Sequence, residues 1–324
     1  VAESADPVFM PLRVVGKQRI AEAIFRFDLA APDGAELPPF TAGAHLRLRL
    51  PNGLERRYSL CSDPAETATY AIAVKREDAG QGGSATLCDS VQEGDLLPCT
   101  APQNDFPLVG RPASHLFIAG GIGITPIMAM IRHLQGAGGP PWKLYYLTRS
   151  AAQTAFLEAL RAPELRGKVV IHHDGGDPEK AFDLWPVLDQ QKGRHLHCCG
   201  PRGLMQAVRD MTGHWSGAAV HFEDFSGGAG QRHADDAPFH VRLARSGTRL
   251  PVPAGTSILA ALRGAGIAVA HSCESGTCGS CRTGLLGGAV EHRDLVLMEH
   301  EKAAQIMVCV SRAAPGVDEL VLDL

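Results

Sequence analysis

Three cysteines fall within nine residues of a loop rich in glycine and serine, HSCESGTCGSC at 271–281, and a fourth stands at 309. The spacing, Cys273-x4-Cys278-x2-Cys281 and then 27 residues to Cys309, is that of a plant-type [2Fe–2S] cluster. A chain built this way has to fold so that the four thiolates meet. The small residues Ser272, Ser275, Gly276, Thr277, Gly279 and Ser280 let the backbone wrap closely and turn N–H groups toward sulfur, which lowers the cost of a negative cluster. Structural zinc usually takes paired C-x2-C units, and disulfides belong to oxidising compartments, so spacing and compartment favour the cluster. Cys61, Cys88, Cys99 and Cys198 read as small core or strand residues.

A cluster of this kind carries one electron at a time, so another part of the chain has to load it. The remaining sequence is long enough to do so. At 324 residues and 45% hydrophobic content the chain supports two or three domains. Its 31 basic and 35 acidic side chains leave a net charge of −4, which excludes a basic nucleic-acid groove. No apolar run of membrane-spanning length occurs, and the N-terminal VAESADPVFMPLRVV lacks signal-peptide character, so a cytoplasmic protein that enters no membrane is expected.

The first hundred or so residues read as short strands. HLRLRL, 45–50, alternates Leu46, Leu48 and Leu50 against Arg47 and Arg49, Pro51-Asn52-Gly53 offers a turn, and RRYSL follows as partner strand. With ATYAIAVKRE at 68–77 this predicts an antiparallel barrel. After Leu108 apolar strands HLFIAGG, WKLYYLTRS, KVVIHHD and RHLHCCG alternate with helical segments, including TPIMAMIRHLQG, AAQTAFLEALR and RGLMQAVRDM. Thr125 is expected as N-cap with Pro126 at the first helical position. Such alternation predicts an α/β domain with a parallel sheet and a nucleotide at the strand C-termini. SGGAGQRHADDAP fits a linker. FHVRLARSGTRLPVPAG then reads as a hairpin and SILAALRGAG as a short helix. The expected organisation is a multidomain chain: 1–108 an antiparallel β-barrel, the flavin domain by the resemblance that follows, 109–226 an α/β nucleotide domain, 227–237 a linker, and 238–324 an α+β (β-grasp) plant-type ferredoxin domain.

Two further motifs connect these blocks to chemistry. RRYSL resembles the R-x-Y-S flavin motif of the ferredoxin–NADP reductase superfamily, with Arg56, Tyr58 and Ser59 in its fixed places. The resemblance implies that Arg56 neutralises flavin phosphate, Tyr58 packs by the isoalloxazine, and Ser59 lies near flavin N5 with Leu60 following. Ala73, Val74 and Lys75 resemble the strand that meets the pyrimidine end of the ring. GQGGSATL places Gly82, Gly83 and Ser84 at a helix start, where free N–H groups attract phosphate. GGIGITP, with Gly120, Gly121, Gly123, Thr125 and Pro126, resembles the nicotinamide-dinucleotide loop of that superfamily. Cys199, Gly200 and Pro201 resemble its partner. Phe225 ends the module, and in related reductases that aromatic packs near the flavin face.

Domain order, and segments such as HHDGGDP, HCCGP, MTGHW, HFE, HRD and MVCVSRA, make essentially the whole chain similar to the phthalate dioxygenase reductase family. That resemblance implies FMN, NADH and a [2Fe–2S] cluster held by Cys273, Cys278, Cys281 and Cys309, with a Rieske-type oxygenase as acceptor. Ser59, Thr125 and Cys199 would shape the contact between nicotinamide and flavin, and Asp174 would disfavour the extra phosphate of NADPH. A reductase of another oxygenase, such as a vanillate O-demethylase, shares the same architecture. A monomer is expected.

Overall fold

A computed structural model describes residues 8–225 and 235–324, so most of the linker expected at 227–237 lies outside the described residues. The chain divides into two compact units between Met205 and Gln206.

The first unit opens with six strands, β1 (Phe9–Ala21), β2 (Ile24–Ala30), β3 (His45–Arg49), β4 (Glu55–Ser59), β5 (Tyr70–Lys75) and β6 (Leu96–Thr100), and a helix α1 (Gly83–Ser90) between the last two. They form an antiparallel sheet in the order β4-β3-β6-β1-β2-β5. A bridge between Leu60 and Ile72 joins its two edges, so the sheet closes into a barrel. The alternation in HLRLRL works as a strand requires: Leu46 and Leu48 are fully buried, among Phe27, Leu29, Tyr70 and Ile72, while the arginines between them face outward. Each such side chain contributes roughly 1.5–3 kcal/mol through burial.

Four parallel strands follow: β7 (Ser114–Gly120), β8 (Trp142–Thr148), β9 (Val169–His173) and β10 (Arg194–Cys199). Their order is β10-β7-β8-β9. The chain moves outward from β7 to β9 and then returns to the other side of β7, so the topological switch point lies between β7 and β10. Helices α2 (Ile124–Gly136), α3 (Leu157–Leu160) and α4 (Trp185–Leu188) connect these strands. Ile127, Met130 and Ile131 of α2 share one core with Ile24, Cys61, Ala73 and Phe106 of the barrel, and the Arg132 guanidinium donates to the Cys61 carbonyl. Barrel and parallel sheet are therefore packed as one body.

Two local expectations are corrected. Helix α2 begins at Ile124 with Gly123 as N-cap, so Thr125 lies inside the first turn and Pro126 one position further. A 3-10 turn at Gly121–Gly123 runs straight into the helix, leaving no capping position for Thr125. AAQTAFLEALR is not one helix but a 3-10 turn at Ala151–Gln153 followed by α3. Phe156 adopts φ 58°, which breaks a right-handed helix, and the Thr154 hydroxyl is tied to the Ser150 carbonyl at 2.8 Å and to His173 at 3.0 Å.

His115, on β7, is 4% exposed and stacks on Phe117, with the His197 ring 5.7 Å away. Burial pushes its pKa down to about 4, and neighbouring His195 adds to this. As pH falls below the ordinary histidine value, the unfolded chain takes up a proton that the folded chain refuses. Stability is therefore full above about pH 6.5 and declines toward pH 4, by about 3 kcal/mol. Urea unfolding of the wild type and His115→Phe across this window should show the decline reduced in the variant.

Helix α5 (Arg202–Met211) and strand β11 (Val220–Glu223) precede the ferredoxin-like part of the second unit. There β12 (Phe239–Leu243), β13 (Arg249–Val252), β14 (Arg282–Gly287), β15 (Val290–Glu291), β16 (Gln305–Met307), β17 (Arg312–Ala313) and β18 (Glu319–Leu322) are accompanied by helices α6 (Ile258–Gly264) and α7 (Glu299–Lys302). The main sheet runs β13-β12-β18-β14-β16, with β12 and β18 parallel. Ser257 caps α6 by accepting from the Ala260 N–H at 3.1 Å. Ile258 and Leu262 pack from that helix onto Val241, Ile306 and Leu320, a helix-on-sheet core that supports the cysteine loop.

Candidate functional site

Arg56 and the glycine loop, 26 residues apart in sequence, come together. Arg56 donates to Gln81 Oε1 at 2.7 Å and to the Glu55 carbonyl at 2.8 Å. Its side chain lies so close to Gly83 that a Cβ there would stand 2.9 Å from Arg56 Cγ and Nε. Gly82 has φ 83° and caps α1 without a side-chain hydrogen bond, so the first N–H groups of an eight-residue helix are available beside a guanidinium. The Ser84 hydroxyl accepts from the Glu77 N–H at 3.1 Å and fixes the loop to the end of β5. Asn52 reaches Thr86 at 2.8 Å from the hairpin tip. Gln81, Asn52 and Thr86 were not legible as site residues, since hydrogen bonds between loops leave no periodic signal.

Tyr58 is partly buried against the barrel core, and that burial holds its phenol protonated well above the usual range. Ser59 and Leu60 are buried at the end of β4, where the Leu60–Ile72 bridge brings them beside Ala73 and Val74 of β5. Lys75 points away from this core, exposed and paired with Glu77 at 2.6 Å. Phe225 is 45% exposed. Burial pushes the thiols of Cys61 and Cys88 up to about 11, so both stay protonated and inert.

At the switch point the two glycine loops interlock. A Cβ on Gly123 would stand 2.2 Å from the Cys199 carbonyl oxygen, and one on Gly120 would stand 2.6 Å from Pro201 Cδ. Only glycine permits this approach of backbone to backbone. The Thr125 hydroxyl donates to the Ile122 carbonyl at 3.1 Å, locking the turn, and the Cys199 side chain is fully buried. Asp174 follows β9 and accepts from the Gly176 N–H at 2.7 Å, while the Gly175 N–H donates to the Arg149 carbonyl at 2.9 Å. Arg149 and Asp174 thus share the rim formed by the ends of β8 and β9.

In the second unit the Cys273 N–H donates to Cys278 Sγ at 3.5 Å, and the Ser275 N–H donates to Cys273 Sγ at 3.4 Å. Hydrogen bonding from Cys278 holds the Cys273 thiol down to about 3, and bonding from Cys309 likewise lowers Cys281. Cys278 and Cys309 are raised as the protonated members of these two pairs. The charge of Cys273 is felt at both Cys281 and Cys309, so all four sulfurs share one electrostatic neighbourhood. Among the described residues no three His, Cys, Asp or Glu converge as ligands of one ion would; the cysteines stand two and two. Four soft donors, with backbone N–H groups aimed at sulfur, fit a [2Fe–2S] cluster.

A barrel with a guanidinium beside an open helix start, a parallel sheet with interlocked glycine loops and a four-cysteine loop are the parts of a flavin and iron–sulfur oxidoreductase. Comparison with known proteins agrees. The 2Fe-2S iron-sulfur cluster binding domain family matches residues 241–314. The chain is 53% identical over 324 residues to the phthalate 4,5-dioxygenase oxygenase reductase subunit of Pseudomonas putida, covering 100% of this chain and 99% of that protein. It is 51% identical to the phthalate dioxygenase reductase of Burkholderia cepacia, covering 98% of each. A solved phthalate dioxygenase reductase, described as a modular structure for electron transfer from pyridine nucleotides to [2Fe–2S], superposes with a TM-score of 0.68 at 50% identity, covering 98% of each chain. A vanillate O-demethylase oxidoreductase of Pseudomonas putida is more distant, at 39% identity over 96% of this chain and 98% of that protein. The chain belongs to the phthalate dioxygenase reductase family, and it is the reductase component of an oxygenase system. No helix of the described residues is long and apolar enough to cross a membrane.

Proposed function

We propose that this chain takes electrons from NADH, passes them through FMN to a [2Fe–2S] cluster, and delivers them to a Rieske-type aromatic-ring oxygenase of the phthalate dioxygenase kind. The observation that carries this reading is the joining of a phosphate cradle and a nucleotide crevice in one unit to a four-cysteine loop in the next. When bound, NADH supplies two electrons together, FMN accepts the pair and parts with them singly, and the cluster carries one at a time.

The chain's own work is placement. Arg56 and the open N–H groups at Gly83 and Ser84 neutralise one phosphate, which suits FMN rather than FAD. Tyr58, Ser59, Leu60, Ala73 and Val74 line the flavin side of the barrel. Thr125 acts by holding the turn of the dinucleotide loop, because its hydroxyl is committed to Ile122. Gly120, Gly121, Gly123, Gly200 and Pro201 would let a bound pyrophosphate approach the backbone, and Cys199, at the end of its strand, would shape the nicotinamide contact. Cys273, Cys278, Cys281 and Cys309 hold the cluster. The protein acts as a cytoplasmic monomer that meets its oxygenase in solution.

Asp174 sets the donor. Its carboxylate on the β8–β9 rim repels a 2′-phosphate, and one arginine, Arg149, is too little to reverse this. The ratio of kcat/KM for NADH over NADPH should exceed about 100, and Asp174→Ala should narrow it by roughly tenfold, as expected for one like-charge contact.

Reconstitution with purified oxygenases, scoring NADH oxidation coupled to product, tests the acceptor. Tight coupling is expected with a phthalate-type oxygenase. Equal coupling with a vanillate O-demethylase oxygenase would favour the second reading, against which the lower identity of that relative argues.

A further inference from the structure

The segment 292–297 runs along the back of the cysteine loop, and it carries a buried charge. Gly276, between Cys273 and Cys278, has φ 76°, and a Cβ there would stand 3.2 Å from Asp294 Cα and 3.3 Å from Asp294 Cβ. The Gly276 carbonyl accepts from the Leu295 N–H at 2.9 Å, and a Cβ on Gly279 would stand 3.4 Å from Val296 Cγ1. Asp294 is thus packed against the cluster loop itself.

Its side chain has no solvent exposure. Oδ1 accepts from the Val296 and Leu297 N–H groups at 3.0 and 2.7 Å, whereas Oδ2 has no hydrogen-bond partner among the described residues. Burial works against ionisation, yet His292 and the Leu297 and Val296 N–H groups hold the carboxyl below the usual carboxylate range. His292 Nδ1 stands 3.8 Å from Oδ2. The adjacent Arg293 directs its charge elsewhere, to Asp236 at 2.6 Å and Glu291 at 2.7 Å, and Arg209 donates to the Leu297 carbonyl. A carboxylate buried behind the loop, with Oδ1 held by two N–H groups and Oδ2 facing His292, is a fixed negative charge close to the cysteine loop.

We propose that Asp294 is a tuning residue for the cluster: its buried negative charge behind Gly276 disfavours the added electron and so holds the cluster at a lower reduction potential, keeping it a stronger donor to the acceptor protein. The inference rests on the [2Fe–2S] reading of the four cysteines. A unit charge about 10 Å from a redox centre, at an effective dielectric constant of about 20, shifts a one-electron equilibrium on the order of tenfold.

Asp294→Asn removes the charge and keeps an oxygen for the Val296 and Leu297 N–H groups; Asp294→Ser removes it with a shorter acceptor. Full-length holoprotein of each is titrated anaerobically with dithionite and mediator dyes, following cluster absorption and EPR, with the flavin as internal reference. Both variants should favour the reduced cluster by about tenfold, a rise of about 59 mV for a one-electron couple, with the flavin potential unmoved. Where one variant fails to hold a cluster, the other supplies the measurement. Potentials equal to wild type, a shift to lower potential, or loss of the cluster in both variants would overturn the proposal, the last because the residue would then be holding the loop and not tuning it. A wild-type protein without a [2Fe–2S] spectrum would instead refute the functional reading beneath it.

Discussion

Cys278→Ser is expected to abolish the [2Fe–2S] absorption and EPR signal while NADH still bleaches the flavin at close to the wild-type rate. Cys278 Sγ accepts the Cys273 N–H and is bonded to Ser280 Oγ at 3.3 Å, so it belongs to the loop's internal network as well as to the proposed ligand set. Serine offers a hard, protonated oxygen in place of a soft thiolate, and ligand identity sets whether such a cluster assembles. Arg56 and Gly83, the proposed flavin cradle, lie in the other compact unit, with its own core. Reduction of one-electron acceptors that depend on the cluster should fall by roughly 100-fold or more. Stopped-flow flavin bleaching beside steady-state acceptor reduction separates the two effects. Loss of flavin reduction in a folded variant would count against the assignment of separate cofactor sites.

Gly123→Ala should have the opposite pattern, sparing the cluster and crippling NADH-driven flavin reduction. The added methyl would stand 2.2 Å from the Cys199 oxygen, 2.4 Å from its carbonyl carbon and 2.7 Å from the Gly200 nitrogen. All three are backbone atoms, so no side chain can swing aside, and either the β10 end or the start of α2 has to move. Overpacking of this kind costs about 3 kcal/mol. A displacement of about 1 Å in a positioning element costs roughly 100-fold in rate. The flavin reduction rate is expected to fall by about that factor, with cluster absorption intact and the unfolding midpoint of the first unit lowered. A variant with wild-type flavin reduction would show that the two loops do not jointly form the dinucleotide crevice.

What the sequence by itself determined is the chemistry written within single segments. Four thiolates at plant-type spacing, alternating leucines in HLRLRL, RRYSL on a strand and glycines before a helix are local patterns, and each sits in the element its pattern implies. Local rules went astray where a neighbour in space intervened: a 3-10 turn displaced Thr125 from the N-cap position, and the bonds of Thr154 to Ser150 and His173 broke the helix expected through AAQTAFLEALR. Only the tertiary structure decided which segments meet. The strand order β10-β7-β8-β9 brings Gly123 against Cys199, barrel closure brings Ser59 beside β5, and the HRD segment delivers Asp294 to the back of Gly276. These pairings join residues distant in sequence, and they are selected by the packing free energy of whole sheets and cores, a quantity no single segment contains.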